Sequence, residues 1–314
     1  MTRQSAARRS RRLGVATLVA ALLVLLIVVL ADQGIRSHPT STEGTPLDPS
    51  YFASGACMAF EPTVGNNHKT VFLDAGHGGI DPGGIGTTEA GQTIDESDVN
   101  LAIVLDTMAL LRDRGYRVVV SRTKDTTVLR LGSGDTDEGV LSELGSHDDV
   151  AARDVCANLA KADLLVGIYM DAGGTAENAG SVSVYDPDRS FSSDNLKFAT
   201  LLQNDVLTAM NAYGWQIPND GVQADSGFGS EVGNPASDSL AAEAASYNHL
   251  MLLGPAASGY FSSPSEMPGA VIEPLYLTDP FEGTIAASAP DQEIIARGVA
   301  DAVEQYFAPS AKRG

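Results

Sequence analysis

The sequence predicts an α/β fold: a single domain built on a twisted, parallel-rich sheet with helices flanking both faces. Short apolar runs that end in glycine or a polar residue alternate with longer stretches whose apolar residues recur at helical spacing. About 240 residues follow residue 67, which is enough for one sizeable domain. Because strands alternate with helices along this length, a mostly parallel sheet is expected.

The first elements surround a glycine-rich loop. The run VFL at 71–73 predicts a buried strand, and DAGHGGIDPGG follows it directly. Apolar residues at helical spacing then predict a helix that begins near Glu96 and stops at Gly115. The run YRVVVSRT at 116–123 predicts the next strand. The loop therefore follows the C-terminal end of a strand, and Glu96 lies at or near the first turn of the next helix.

The remaining elements continue the alternation. Helical spacing and apolar runs predict a helix at 148–163, strands at 164–174 and 179–187, a helix at 193–214, a further regular element at 247–254, a strand at 269–277 and a final helix at 291–307. Two stretches interrupt this order, at 131–147 and 221–246, and both are rich in Gly, Ser, Ala and acidic residues. We expect them to be long surface loops at the sheet edge, where they could cover a cleft or fill part of it.

The N-terminus predicts export. Residues 1–14 contain five arginines and no acidic residue, and residues 15–31 are apolar without a charge. This pattern is typical of a basic cytoplasmic segment followed by a transmembrane anchor or a signal sequence. The length of the apolar run favours an anchor in the cytoplasmic membrane that holds the rest of the chain outside. The alternative is secretion after cleavage near Ala31.

A tether is expected between this segment and the folded domain. Residues 32–67 are rich in Ser, Thr, Pro and Gly and show little apolar periodicity. Such a composition favours a flexible exported linker. The folded domain is therefore predicted at 68–309.

The charge of the chain disfavours some partners. The formal net charge is −20, and this figure already includes the basic N-terminus. Nucleic acid needs Lys and Arg to neutralise its phosphates, so a nucleic-acid partner is not expected. The acidic domain also has no electrostatic reason to lie on anionic lipid, which leaves the N-terminal helix as the expected membrane contact.

The two cysteines, Cys57 and Cys156, are expected to pair because exported proteins fold in an oxidising compartment. A bridge that closes a loop of about 100 residues would stabilise the fold by roughly 4 to 5 kcal/mol in the chain-entropy model. The bridge would attach the end of the linker to the core. Two separate buried thiols are the alternative.

Candidate site residues follow the ends of predicted strands. His77 lies in the glycine loop, the segment 169–171 and Glu273 end later strands, and Glu96 starts a helix. Ligands bind at the carboxyl ends of strands in open α/β sheets, so His77 could be a metal ligand or a base. A histidine in a surface loop with only local hydrogen bonds is the plainer alternative. His and Glu on neighbouring loops can hold zinc, and a further carboxylate can take a proton from bound water.

Five stretches resemble one family in order and spacing: VFLDAGHGGIDPGG, ESDVNLAI, SRTKD, VAARDVCANLAKADLLVGI and GAVIEPLYLTDP. The chain is similar over about residues 69–307 to the zinc-dependent N-acetylmuramoyl-L-alanine amidases of the amidase-3 family, which hydrolyse peptidoglycan. The resemblance implies that His77 and Glu96 are zinc ligands and that Glu273 is the general base. It also implies a zinc-activated water that cleaves the amide between the lactyl group of muramic acid and L-alanine.

The sequence departs from this family at the third zinc ligand. The family has a histidine in a Ser-Ile-His-Ala-Asn motif, and Tyr169 stands at that position here. A neutral phenol is a poor zinc ligand, which predicts an altered metal site. Strand alternation would place Asp171 on the same side as Tyr169, where it could substitute as an oxygen ligand. His147 and His249 are further donors that could fold in.

Two arginines also match the family pattern. Arg122 and Arg153 are interpreted as structural partners of acidic side chains. The cysteines have no metal-ligand spacing.

The resemblance leads to two hypotheses for function. The first is a cell-wall amidase with peptidoglycan as substrate and one zinc per chain. The second is a catalytically inactive amidase-like domain that binds peptidoglycan or regulates a cell-wall hydrolase or divisome protein. Another metal-assisted amidohydrolase is a third, plainer reading. Tyr169 and the two acidic insertions favour the second hypothesis.

Overall fold

The computed structural model describes residues 44–226 and 246–309 of the 314-residue chain. The strands are β1 (Thr45–Pro46), β2 (Ala56–Phe60), β3 (Thr70–Ala75), β4 (Ile85–Thr87), β5 (Thr93–Asp95), β6 (Arg117–Arg122), β7 (Thr136–Asp137), β8 (Val140–Leu141), β9 (Leu164–Ile168), β10 (Ser181–Tyr185), β11 (Asn219–Ala224) and β12 (Gly269–Glu273). The helices are α1 (Glu96–Asp113), α2 (Glu143–Ala160), α3 (Ser192–Asn211), α4 (Pro280–Ala286) and α5 (Ala289–Phe307).

Eight of these strands form one mixed sheet in the order β1-β2-β6-β3-β9-β12-β10-β11. The central pairs β6–β3, β3–β9 and β9–β12 are parallel, as is β10–β11. The strand β10 runs antiparallel to β12, and β1 and β2 close the other side with antiparallel pairs. The predicted α/β fold with a parallel-rich sheet is confirmed.

Hydrophobic cores lie on both faces of the sheet. On one face, alternate strand residues such as Val71 and Leu73 pack with apolar residues of α1, α3 and α5. On the other face, Phe72 and Val119 pack with the alanine-rich side of α2 and with the turn segment 247–254. The continuous apolar runs of the central strands are explained by this burial on both faces.

The disulfide between Cys57 and Cys156 is confirmed and joins β2 to α2. Its position corrects the predicted linker 32–67, because residues 44–60 belong to the folded domain. Phe52, Ala56 and Phe60 are buried, and β2 pairs with β6. Among the described residues of that stretch, Thr45 and Pro46 form β1, and Pro49, Ser50 and Ser54 occupy turns before β2. Strands this short do not show in periodicity over a long window.

Several predicted elements have different bounds. The first predicted loop, 131–147, contains the β7–β8 hairpin and the start of α2, where the Ser142 side chain accepts a hydrogen bond from Gly145 N. The second, 221–246, begins inside β11, and most of it lies outside the described residues. The predicted regular element at 247–254 is a series of turns.

The predicted basic segment and the anchor or signal sequence come before the described residues. Residues 1–14 and 15–31 lie outside the described ranges. Within those ranges, none of the helices combines the length and the apolar character that a membrane crossing requires.

Candidate functional site

Three parallel strands bring the predicted site residues to one edge of the sheet. Because β3, β9 and β12 run in the same direction, their C-terminal ends lie side by side. The His77 loop follows β3, Tyr169 follows β9, and Glu273 is the last residue of β12. The backbone N–H of Tyr169 donates to Ile272 O at 3.1 Å, which ties the ends of two of these strands together.

The loop after β3 turns sharply so that His77 faces the start of α1. His77 itself has a φ of +60°, a left-handed conformation that is uncommon for a residue with a side chain. Gly83 provides the space beside it, because a Cβ at Gly83 would lie 2.6 Å from the imidazole Cδ2. The glycines of this loop therefore allow the backbone to close around the imidazole.

The imidazole of His77 lies between two carboxylates. Its Nε2 is 3.2 Å from Glu96 Oε2, and its Nδ1 is 2.8 Å from Asp81 Oδ2. Burial opposes protonation of the ring, but the hydrogen bonds and negative charges of Asp81 and Glu96 outweigh it and raise the pKa of His77 to about 10. The two carboxylates therefore favour the protonated form of the imidazole.

Glu96 is buried and held by backbone donors. Gly84 N donates to its Oε2 at 2.8 Å, and Met170 N donates to its Oε1 at 3.1 Å. The Asn100 amide donates to the same Oε1 at 3.0 Å. Burial would raise the pKa of Glu96, but His77 and these backbone N–H groups lower it. His77 and Glu96 thus form a fixed pair, as the sequence predicted for neighbouring groups.

The ring of Tyr169 packs beside the His77–Glu96 pair, but its hydroxyl points to Asp74. The hydroxyl donates to Asp74 Oδ2 at 2.8 Å, and the ring meets the His77 ring edge to face, with centroids 5.7 Å apart. A Cβ at Gly76 would lie 2.4 Å from the Tyr169 ring, so the phenol packs directly on that glycine. The phenol is therefore held between Asp74 and the loop.

Arg153 joins this arrangement from α2. It is fully buried, and its guanidinium donates to Asp74 Oδ1 at 2.7 Å and to Asp149 Oδ2 at 2.9 Å. It also donates to the carbonyl oxygens of Ala75 and His77, at 2.8 Å and 3.1 Å. The interpretation of Arg153 as a structural partner of acids agrees with these contacts.

Arg122 differs from that interpretation, since its hydrogen bonds go to backbone carbonyls. Its guanidinium donates to the oxygens of Ala75, Gly76 and Ser97, at 3.1 Å, 2.9 Å and 2.6 Å. Burial, together with the nearby charge of Arg153, lowers the pKa of Arg122 to about 10. Arg122 therefore fixes the glycine loop against the start of α1.

Asp171 does not share the surroundings of Tyr169. The strand β9 ends at Ile168, but the backbone beyond it still pairs with β12 and the chain that follows β12, since Tyr169 N donates to Ile272 O and Asp171 N donates to Leu275 O. The Asp171 side chain hydrogen-bonds the Tyr276 hydroxyl, and its pKa is raised, chiefly by burial. Its role as a substitute metal ligand stays a prediction without support from this geometry.

Glu273 lies half-buried at the end of β12, opposite Val182 of β10. Its position next to the end of β9 agrees with a place in the cleft. The general-base role stays a prediction.

The two further histidines are placed away from His77. His147 contacts Asp148 through Nδ1 at 2.7 Å and Tyr260 O through Nε2 at 2.8 Å. His249 packs against Asp186 and Asp225. Both histidines therefore have other partners, and a place for either in the His77 site stays a prediction without support from these contacts.

Two cavities flank the segment 169–171. One, of about 480 Å³, is lined by His77, Ile80, Asp81, Pro82, Val140, Leu141, Ser146, Asp149, Val150, Arg153 and Tyr169. The other, of about 560 Å³, is lined by Asp171, Glu177, Asn178, Ala179, Val182, Asp220, Gln223 and Tyr276. The first mixes apolar and charged groups, and the second is acidic and polar.

The residues at this edge do not complete the zinc site that the resemblance implies. A catalytic zinc takes three protein ligands and a water. His77 and Glu96 supply two donors, but the Tyr169 hydroxyl is bound to Asp74 and Asp171 is bound to Tyr276. Among the described residues, one group of three His, Asp or Glu side chains has donor atoms that all lie within 4.8 Å of one another. This group is Asp186, Asp225 and His249.

Sequence reasoning missed two members of the site, Asp81 and Asp74. Asp81 lies four residues after His77 in the same glycine-rich loop, and its carboxylate contacts Nδ1 of the imidazole. Asp74 ends the apolar run of β3 and is completely buried. A buried acid next to a glycine loop is a signal that could have found it, since buried charges need partners.

The family comparison agrees with this architecture. The Amidase_3 family, described as N-acetylmuramoyl-L-alanine amidase, matches residues 71–305. The uncharacterised protein YqiI of Bacillus subtilis is 28% identical over 153 residues, which is 49% of this chain and 60% of YqiI. The germination-specific N-acetylmuramoyl-L-alanine amidase of the same species is 28% identical over 117 residues, 37% of this chain and 45% of that protein. The chain thus spans about half the length of the curated relatives it matches.

A solved structure shows the same fold. The CwlD amidase of Clostridioides difficile, determined in complex with the GerS lipoprotein, aligns with a TM-score of 0.55 at 21% identity, covering 76% of this chain and 98% of that one. The family match extends over well more than half of the 314 residues. This chain therefore belongs to the Amidase_3 family of N-acetylmuramoyl-L-alanine amidases.

Proposed function

We propose that this domain binds peptidoglycan in the cleft beside His77, at the amide between N-acetylmuramic acid and L-alanine. Family membership supports peptidoglycan as the ligand. The two cavities support an extended ligand, because Tyr169 lines one and Asp171 lines the other. A glycan that carries a peptide branch is long enough to occupy both cavities, whereas a compact small molecule would occupy one.

Binding without hydrolysis is the activity that the geometry supports best, and one observation carries it. The residue at the position of the third zinc ligand is Tyr169, and its hydroxyl is hydrogen-bonded to the buried, ion-paired Asp74. To turn towards a metal, the phenol would have to leave the Asp74 carboxylate with one hydrogen-bond donor less, and unsatisfied buried charges are costly. The domain would then act as a binding or regulatory module in the cell wall.

Hydrolysis of the same amide is the second candidate, because three residues of the proposed machinery are present. His77 and Glu96 face each other at 3.2 Å, and Glu273 ends the neighbouring strand. His77 and Glu96 would hold a zinc ion together with a third ligand, and the ion would supply Lewis-acid chemistry at the amide carbonyl. Glu273 would accept a proton from the attacking water.

A protein partner and an extracytoplasmic location belong to the same proposal. The CwlD amidase was solved with the GerS lipoprotein bound, so an amidase of this fold can act with a partner. The anchor or signal proposed at 15–31 would deliver the domain to the compartment that contains peptidoglycan.

The test measures binding and cleavage on one preparation. Purified full-length chain is incubated with peptidoglycan sacculi, its co-sedimentation is measured, and released stem peptides are quantified by mass spectrometry. We expect the wild type to sediment with the sacculi and to release no peptide. We expect Tyr169→His to gain peptide release when zinc is added, because imidazole is a zinc ligand and phenol is not.

Tyr169→Phe is the matched control, since it loses the bond to Asp74 without adding a ligand. Peptide release by the wild type would replace the binding proposal by the hydrolysis candidate. No co-sedimentation of wild type with sacculi would overturn both.

A further inference from the structure

A second group of ligand-type side chains lies at the opposite edge of the sheet from His77. The strand β10 is antiparallel to β12, so the C-terminal ends of β10 and its parallel neighbour β11 lie at the edge where β12 begins. Asp186 follows β10, Asp225 follows β11, and His249 comes from the turn segment 247–254. The chain thus converges on this point from three separate segments.

The atoms of this cluster already have metal-ligand spacing. His249 Nδ1 is 3.1 Å from Asp186 Oδ2 and 3.4 Å from Asp225 Oδ1, and the three donor atoms all lie within 4.8 Å of one another. Ligand atoms held about 2.1 Å from a tetrahedral zinc are about 3.4 Å apart. A zinc ion could therefore enter with small side-chain movements.

Each carboxylate is oriented by a backbone donor. Asp188 N donates to Asp186 Oδ1 at 2.5 Å, and Leu250 N donates to Asp225 Oδ2 at 3.2 Å. In both residues the other oxygen faces His249. Hydrogen bonds of this kind hold metal ligands in place from the second coordination layer.

One oxygen of the cluster is buried without a hydrogen bond. Asp186 is completely buried, and its Oδ2 accepts no hydrogen bond from the described residues. Its approach to His249 Nδ1 at 3.1 Å is an ion pair only when the imidazole is protonated. A buried oxygen without a hydrogen bond is uncommon in a native structure and calls for a further partner.

The charges of the cluster also do not balance. Two buried carboxylates beside one imidazole leave a net negative charge even when the imidazole is protonated. A divalent cation with a neutral imidazole would balance both carboxylates.

We propose that Asp186, Asp225 and His249 form a structural site for a divalent transition-metal cation, separate from the His77 cleft. The donor set of one imidazole nitrogen and two carboxylate oxygens suits zinc. Asp225 and His249 stand on either side of residues 226–248 in the sequence. The bound ion would therefore join the two residues that flank 226–248 to the end of β10. It would add stability to this end of the sheet.

The test measures zinc binding by the full chain after the two donors of the cleft, His77 and Glu96, have been substituted. The double variant His77→Ala, Glu96→Gln is stripped with a chelator, dialysed and titrated with zinc chloride by calorimetry, and its metal content is measured after gel filtration. We expect about one zinc per chain. Adding His249→Gln, or Asp186→Asn with Asp225→Asn, should weaken zinc binding by at least 100-fold.

Asp188→Asn is the matched control. The Asp188 carboxylate lies 3.7 Å from His249 Nε2 and is largely exposed, so its change should leave zinc binding intact. Absence of zinc in the His77→Ala, Glu96→Gln protein, which retains the whole cluster, would overturn the proposal even if the cluster variants fail to fold. Zinc binding that survives His249→Gln undiminished would overturn it as well.

Discussion

At the residue scale, the buried charge of Arg153 determines how the cleft is held. Arg153 pairs with Asp74 and Asp149 without solvent contact, and it also fixes the His77 carbonyl. We predict that Arg153→Met lowers the free energy of unfolding by about 3 to 5 kcal/mol, because two buried carboxylates lose their partner. Urea denaturation followed by circular dichroism measures this loss.

Arg114→Met is the comparison for that prediction. Arg114 pairs with Asp301 and Glu304 at the surface, where both acids are more than half exposed. Its loss should cost about 1 kcal/mol or less. Equal losses in the two variants would mean that burial of the Arg153 pairs does not matter.

The same residues show what sequence can predict of a site. His77, Glu96 and Glu273 could be found because each follows or begins an element with a clear apolar pattern, and the parallel strands brought them to one edge. The orientation of Tyr169 could not be found, since it depends on Asp74 and Gly76, which approach it only in the folded chain. The cluster around His249 combines residues from three distant segments, and no local spacing signals it.

At the element scale, the disulfide holds β2 against α2. It closes a loop with a sequence separation of 99 residues. We predict that the double change Cys57→Ser, Cys156→Ser lowers the free energy of unfolding by roughly 4 to 5 kcal/mol, since the unfolded chain regains the freedom that the loop had lost. Chemical denaturation of both proteins gives the difference.

Reduction supplies the internal control for the disulfide. Dithiothreitol should lower the stability of the wild type by a similar amount and leave the double variant unchanged. A reductant effect of equal size in both proteins would show that the loss does not come from this bridge.

At the scale of the whole molecule, the domain begins earlier than its apolar periodicity indicated. Residues 44–60 contribute the short strands β1 and β2 and bury Phe52 and Phe60. We predict that a chain starting at residue 44 unfolds cooperatively, whereas one starting at residue 68 does not, because β6 then keeps only its pairing with β3 and Phe72 is partly uncovered. Thermal unfolding measured by circular dichroism and light scattering compares the two chains.

Identical melting curves for these two chains would contradict the assignment of residues 44–60 to the domain. The central strands and long helices were predictable because their apolar residues repeat over many positions. The first two strands have two and five residues, too few to give a period. Their place in the sheet is set by pairing with β6 and by the bridge to α2, which are tertiary contacts.

The strand order has a consequence for how the chain behaves at high concentration. An open sheet has an outermost strand on each side, and such an unpaired edge strand is a template for aggregation. Here one edge is β1, which has two residues and includes Pro46. The other is β11, whose pairing with β10 skips Asp220 and so shifts register between Asn219 and Gly221. Both edges of the described sheet are therefore poor templates, and fibril formation through the native fold is disfavoured.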